Sequence, residues 1–496
     1  MHDHGKSDDL VVPAKLPNEP ALAGEEVVEG RRSAEGNTAS KTRPGPSAGL
    51  GVSSELARVR RVAQRDRKVR FTALLHHVSV DRLRAAYWEL EPKAAPGVDG
   101  VTWRDYGQDL EENLRGLHAR VHRGAYRARP ARRVFIPKPD GRQRPLGVAA
   151  LEDKVLQRAV VEVLNAIYEQ DFLGFSYGFR PGRSQHDALD ALAAGIVRKR
   201  VNWVLDADIR DFFTSLDQGR LEKFLGHRIA DQRVLRLIQK WLRAGVIEDG
   251  EWSSTERGTA QGASISPLLG NVYLHYAFDL WADQWRRRNA RGDVTLTRFA
   301  DDFLAGFEHR EDAERFLADL RERFAQFGLE VHPDKTRLIE FGRYAAWDRK
   351  RRGDRKPETF EFLGFTHICA TSRSGRFKLK RVTSKKKMRA KLKSVKTEMM
   401  RRRDHPIPDQ GRWLARVLAG HYRYYAVPDN STALRGFRER IIRHWRRALS
   451  RRSQKGHMTW ERTGRYAERW LPQPRILHPW PTARFDARTQ GRSPVR

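Results

Sequence analysis

The chain has 496 residues, 39% of them hydrophobic, which is enough for two or three domains with cores of their own. Its 96 Lys and Arg outweigh 62 Asp and Glu, and the formal charge of +34 repels the chain from itself and points to a polyanionic partner, RNA or DNA. A single cysteine, Cys369, excludes an internal disulfide framework and a Cys-rich zinc finger, and no run approaches the roughly 18 apolar residues of a membrane span, so a cytoplasmic protein with no membrane partner is expected.

In chain order, residues 1–54 are rich in Gly, Ser, Pro and acids and are expected to be disordered. Helical spacing begins near Glu55. The run Asp81 to Leu90 predicts a helix capped by Asp81 and stopped at Glu91-Pro92. Helices are also predicted over Leu151 to Tyr168, Leu189 to Val197, Arg233 to Leu242 and Asp312 to Phe327. Strands are predicted over Arg133 to Ile136, Trp203 to Leu205, Val294 to Thr297 and Phe303 to Phe307. That mixture predicts an α/β domain in mostly helical surroundings. Residues 376–496 hold 34 basic and 8 acidic residues, a net of +26, so the C-terminal quarter dominates the electrostatic footprint. Its aromatics, among them Trp413, Tyr422, Trp445, Trp460 and Trp480, read mostly as core packing, with stacking on bases the alternative.

Asp301 and Asp302 stand side by side between Phe299-Ala300 and Phe303-Leu304. Neighbouring like charges in an apolar setting raise each other's pKa unless a cation holds them, and a hard divalent ion such as Mg²⁺ suits carboxylate oxygens. An Asp-Asp pair alone reads as a solvated turn. Upstream, however, Trp203-Val204-Leu205-Asp206-Ala207-Asp208-Ile209 is a buried-strand pattern that ends in carboxylates. A third carboxylate beside the pair completes a site for two metal ions about 4 Å apart, the arrangement of nucleotidyl transfer.

Asp208, five residues ahead of the bulky Phe213, and the distant Phe299-Ala300-Asp301-Asp302 resemble the palm motifs of reverse transcriptases. Between them, the run from Gly258-Thr259-Ala260-Gln261-Gly262 to Asn271 is similar to that family's Gln-Gly loop. Beyond them, Gly328 to Thr336 and Phe362-Leu363-Gly364-Phe365 resemble its later palm blocks. Ala95 to Gly100, Ile136 to Gly147 and Tyr177 to Ser184 resemble the fingers of group II intron-encoded proteins, and Gly420-His421-Tyr422 their maturase thumb.

The resemblance implies a right-hand polymerase of α/β (α+β) class. Its parts would be a tail at 1–54, an N-terminal extension with fingers and palm at 55–370, a helical thumb or maturase domain at 371–450, and a basic DNA-binding segment at 451–496. Asp208 and Asp301 would be the principal metal ligands with the carbonyl of Ile209, and Asp302 would complete the acidic cluster; Asp206 is the alternative to Asp208. Phe213 would lie under the sugar and exclude a 2′-hydroxyl. Lys138 and Arg144, across a Pro-Asp-Gly turn, would face the triphosphate. Gln261 and Gly262 would lie against the nucleotide, with Lys335 near the site. Arg180 and Arg183 would grip the template, an exposed basic loop being the alternative.

The sequence departs from the family pattern at Ala260, where proline is usual, at Asp211, where glycine is frequent, and at Phe299, where tyrosine is more frequent. Asp211 is expected to weaken nucleotide binding unless its backbone amide makes the contact. The resemblance implies two jobs: to bind group II intron RNA and assist its splicing, and to copy it into DNA from a primer 3′ end at target DNA, using dNTP substrates and two Mg²⁺ ions. A bacterial, nucleoid-associated location is expected. The cysteine pairs of a His-Asn-His endonuclease are missing, so priming from a nick or replication intermediate is expected. Two alternatives stand beside this: a related polymerase of diversity generation or phage defence, and a non-enzymatic RNA chaperone with a decayed palm.

Overall fold

The computed structural model describes residues 49–137, 143–248, 251–254, 257–259, 262–452 and 458–489. The first helix, Gly49–Arg65, begins inside the stretch expected to be a disordered tail. The helix Val80–Glu89 follows, and its cap is Ser79, whose hydroxyl accepts from Arg82 N at 3.3 Å, rather than Asp81. A hydroxyl at that position satisfies one of the orphan amides of the first turn. Leu83, Ala86 and Tyr87 turn its apolar face onto the helix Leu151–Tyr168, which is buried on most of its circumference and therefore runs through the core.

Among the described residues, eleven strands form three sheets. In chain order they are β1 Ala131–Pro137, β2 Gln143–Val148, β3 Trp203–Ala207, β4 Val246–Glu248, β5 Glu251–Ser253, β6 Val294–Phe299, β7 Asp302–Phe307, β8 Arg337–Glu340, β9 Phe360–Phe362, β10 Phe365–Thr371 and β11 Phe377–Thr383. The first sheet has the order β2-β1-β4-β5 and carries the β1–β2 hairpin, in which Ile136 faces Arg144. The second, β6-β7-β3-β8, is antiparallel throughout and holds the candidate site at one end. Consecutive residues Val204 and Leu205 of β3 are both buried, because the helices Gln185–Arg198 and Arg310–Gln326 pack with this sheet. This mixed α/β architecture, with its antiparallel central sheet, agrees with the fold class the resemblance implies. The third sheet, β11-β10-β9, has no counterpart among the predicted strands.

Beyond it come the helices Lys385–Arg401, Ile407–Tyr425, Ser431–Ser450 and Trp460–Trp470, packed around a core of their own that includes Met399, Leu418, Phe437 and Trp445. Core packing is where most of the C-terminal aromatics go: Trp445 and Tyr422 are buried, whereas Trp460 and Trp480 remain exposed. The last described helix, Pro481–Thr489, returns to the central domain and lies on Gln185–Arg198, with Phe485 buried between them. Its Arg484 pairs with Asp190 and its Arg488 with Asp187, while Asp486 takes Arg198 at 2.6 Å. Among the described residues no helix is long and apolar enough to cross a membrane.

Candidate active site

Strand pairing alone assembles the acidic cluster. In β3, Ala207 faces Phe303 of β7, so Asp208 leaves its strand at the level where Asp302 begins the neighbouring one. Adjacent strands lie about 5 Å apart. Asp301 occupies the two-residue turn of the β6–β7 hairpin, where Phe299 faces Asp302. On the other side, residues 330–332 run beside 208–210: Ile209 bridges Val331, and His332 N donates to the Asp208 carbonyl at 2.8 Å. That segment delivers Lys335, whose Nζ pairs with Asp208 Oδ2. Asp208, Ile209, Asp301, Asp302 and Lys335 are thus brought to one end of one sheet.

The electrostatics are those of a crowded anionic site. Burial, then Asp301, Asp208 and Asp206, push the Asp302 carboxyl up to about 7, against the pull of Lys335. One side of Asp302 still meets solvent, so the crowding is by carboxylates and protein beneath it. Asp206 points to the same face as Asp208, one strand period earlier. Burial raises it to about 6, although Arg337 lies 3.6 Å away. Among the described residues no three His, Cys, Asp or Glu side chains already form a closed cage for a metal ion. The donor set nevertheless fits a hard divalent cation, since neighbouring carboxylates help to raise Asp302 and Asp206 at one sheet end, with Lys335 and Arg337 acting against them.

Around this centre the backbone is pressed tight. Ala300, at the hairpin turn, has φ 57°, a left-handed conformation that costs a non-glycine residue about 1–2 kcal/mol. Asp211 also lies there, at φ 43°, which explains why glycine suits the position: the requirement is conformational, and Asp tolerates it better than most side chains. Asp211 begins the short helix Phe212–Ser215. Phe213 is half-buried, edge to face with Phe212 at 5.1 Å, and Thr259 N donates to its carbonyl at 2.8 Å. Gly262, at φ 115°, faces the strand β2, where an added Cβ would come within 2.9 Å of the Gly147 carbonyl. The loop resembling the Gln-Gly block therefore touches both the Phe213 turn and the hairpin that carries Arg144, which is half-buried on β2. Lys138 and Gln261, like Ala260, lie outside the described residues.

Arg180 and Arg183 need correction. Arg180 is 4% exposed and gives its donors to Glu169 at 2.9 Å and to the carbonyls of Leu173 and Ser176 at 2.8 Å each. Arg183 Nη1 bonds the Gly174 carbonyl at 2.7 Å, and its guanidinium lies over the Tyr177 ring. Arg180 is a strut that shapes its own loop, and with its donors engaged inside the protein it is poorly placed to grip a template; Arg183 is half-buried and tied to the same loop through Nη1. Sequence reasoning also passed over Arg298, Asp279, Asn271 and Gly178, which surround the hairpin turn. The available signal was an arginine embedded in the apolar strand Val294–Phe299.

An antiparallel sheet ending in clustered carboxylates, with a Gln-Gly-type loop beside it, defines the palm of a nucleic-acid polymerase. Residues 136–367 match the family of reverse transcriptases (RNA-dependent DNA polymerases). It is 35% identical to protein YkfC of Escherichia coli, over 44% of this chain and 66% of that one. It is 33% identical to the group II intron-encoded protein LtrA of Lactococcus lactis, over 44% of this chain and 37% of the relative. A nuclear intron maturase 3 of Arabidopsis thaliana is 33% identical over 25% of this chain and 17% of its own length. The matches thus span less than two thirds of these relatives, two of which are named as a group II intron-encoded protein and an intron maturase.

Proposed function

We propose that the protein is an RNA-directed DNA polymerase and intron maturase, which binds group II intron RNA, assists its splicing and copies it into DNA from a primer 3′ end at target DNA. The observation that carries the reading is the convergence of Asp208, Asp301, Asp302 and Lys335 at one end of the β6-β7-β3-β8 sheet. Asp208 and Asp301, with the Ile209 carbonyl and Asp302, would hold two Mg²⁺ ions, which when bound activate the primer hydroxyl and neutralise charge on the phosphate and the departing pyrophosphate.

The chain's own groups do the rest. Lys335 offsets the negative charge of Asp208 and is near enough to release it toward an incoming cation. Phe213, braced by Phe212 and by Gly270, presents a bulky ring that selects deoxynucleotides by clash. Arg144, with Lys138, would meet the triphosphate, and Gln261 and Gly262 would close against the nucleotide. The basic helix Lys385–Arg401 and its neighbours would hold the RNA through phosphate contacts.

Primer extension on an RNA template with dNTPs tests the polymerase, and splicing of the intron RNA at low Mg²⁺ tests the maturase. Equal extension by wild type and Asp301→Ala would sink the metal assignment. Splicing unaltered by the protein would remove the second job.

A further inference from the structure

Arg298 gives all five of its N–H donors to the chain that surrounds the hairpin turn. Its Nε and Nη2 bond the two carboxylate oxygens of Asp279 at 2.7 and 2.5 Å. Its Nη1 donates to Asn271 Oδ1 at 3.0 Å and to the Ala300 carbonyl at 2.9 Å, and Nη2 also reaches Ser176 Oγ at 2.7 Å. These four acceptor residues come from four segments: the 175–178 loop, the helix Ser266–Leu274, the π-helical turn His275–Asp279 and the hairpin turn itself. Arg298 and Asp279 are 1% and 0% exposed, so both charges were taken out of water to make this contact.

The sheet does not require so costly a group. The β6–β7 register is already set by backbone pairing from Val294↔Phe307 to Phe299↔Asp302. What the guanidinium adds is a fixed position for the Ala300 carbonyl, one peptide before Asp301. Gly178 closes the turn from the other side: a Cβ there would lie 2.2 Å from Ala300 N. The two sides are joined, because Asn271, which accepts from Arg298, donates its Nδ2 to the Gly178 carbonyl at 2.7 Å. The left-handed Ala300 is held between them.

We infer that Arg298 is a positioning residue of the polymerase centre: through the Ala300 carbonyl it sets where the Asp301 carboxylate stands relative to Asp208, and Asp279, Asn271 and Ser176 aim it. This rests on the polymerase reading above. Arg298→Lys keeps the charge but cannot supply the five-donor fork. Ser176→Ala removes one acceptor and leaves the ion pair intact.

Each variant is measured for thermal unfolding, primer–template affinity, Mn²⁺ affinity of the metal-free protein by electron paramagnetic resonance, and kcat and dNTP KM in extension. The expected loss in kcat is about a hundredfold for Arg298→Lys, the scale of a small misplacement of a reacting group. For Ser176→Ala it is about tenfold, the scale of one hydrogen bond to a charged group. Mn²⁺ binding should weaken in both, with dNTP KM and primer–template affinity unchanged. If Arg298→Lys does not fold, Ser176→Ala decides the matter. A folded variant with wild-type kcat and Mn²⁺ affinity overturns the proposal, and so does a loss confined to dNTP KM. Failure of the wild type to extend a primer counts against the polymerase reading instead, and the Mn²⁺ affinities still decide the positioning role.

Discussion

Basic residues do different work in the central domain and in the C-terminal helices. In the former, Arg82, Arg180, Arg228 and Arg298 are buried, each against a carboxylate: Glu162 at 2.7 Å, Glu169 at 2.9 Å, Asp171 at 2.9 Å and Asp279 at 2.5 Å. Along the helix Lys385–Arg401 the pattern reverses. Met388, Leu392, Val395 and Met399 form the buried stripe, while Lys385, Lys386, Lys387, Arg389, Lys393, Lys396 and Arg401 face outward toward solvent. A buried guanidinium with a single partner geometry fixes shape, and removing one member costs about 3–5 kcal/mol. An exposed cation attracts polyanions, and its effect is screened by salt. One region therefore devotes its charge to geometry and the other to grip, and variants should separate rate from affinity.

The largest separation is expected from Asp208→Asn, which removes a metal-binding charge while preserving volume. Extension should fall by about a thousandfold or more, the range in which lost electrostatic stabilisation of a transition state is felt. Affinity for primer–template, measured by anisotropy, should stay at the wild-type value, and a parallel drop in affinity would undo the division between geometry and grip. Phe213→Ala comes next. Discrimination between dNTP and rNTP in single-nucleotide incorporation should relax by about tenfold or more, as for an enlarged apolar pocket. Unchanged discrimination would return Phe213 to ordinary packing.

On the grip side, Lys393→Ser, Lys396→Ser and Arg401→Ser combined should weaken RNA binding. The slope of log affinity against log salt should become shallower by about 0.7–0.9 for each phosphate no longer neutralised. The extension rate at saturating RNA should not move. The smallest effect is on stability. The Asp302 carboxyl is raised to about 7 in the fold, so its ionised form is penalised: the penalty is complete above pH 7, shrinks as pH falls through 7, and is gone below the ordinary carboxylate range. In chelator, Asp302→Asn should therefore raise Tm at pH 8 by about 2 °C and shift it far less at pH 4. An equal shift at both values would mean that the charge on Asp302 is not the cause.

The sequence was most legible where chemistry and backbone coincide. Asp208 and Asp301-Asp302 stand at strand ends, where the apolar run stops and a carboxylate begins, and the pairing of β3 with β7 follows from those two runs. The Leu151–Tyr168 helix was readable to its ends because apolar residues recur along it at helical spacing. Legibility failed where one residue type serves two environments. Arg180 and Arg183 sit in a Pro-Gly loop that reads as exposed, yet that loop folds over its own arginines. Strands β10 and β11 were missed because Phe365 to Thr383 mixes apolar and basic residues around a Ser-Gly turn, so no apolar run stands out. Arg298 was passed over because its partners, Asp279, Asn271 and Ser176, are scattered over more than a hundred positions of sequence and meet only when the palm folds. The basic segment after residue 450 reads as nucleic-acid binding, but the helix Pro481–Thr489 commits Arg484 and Arg488 to Asp190 and Asp187.

The sharpest test of a division between geometry and grip is single-turnover incorporation of one dNTP on an RNA template, with binding of the same primer–template measured in parallel. Asp301→Ala should bind as the wild type does and incorporate nothing, while the triple variant of the helix Lys385–Arg401 should bind weakly and, once saturated, incorporate at the wild-type rate. Incorporation by Asp301→Ala at the wild-type rate would mean that the carboxylates at the end of the β6-β7-β3-β8 sheet are not the polymerase centre.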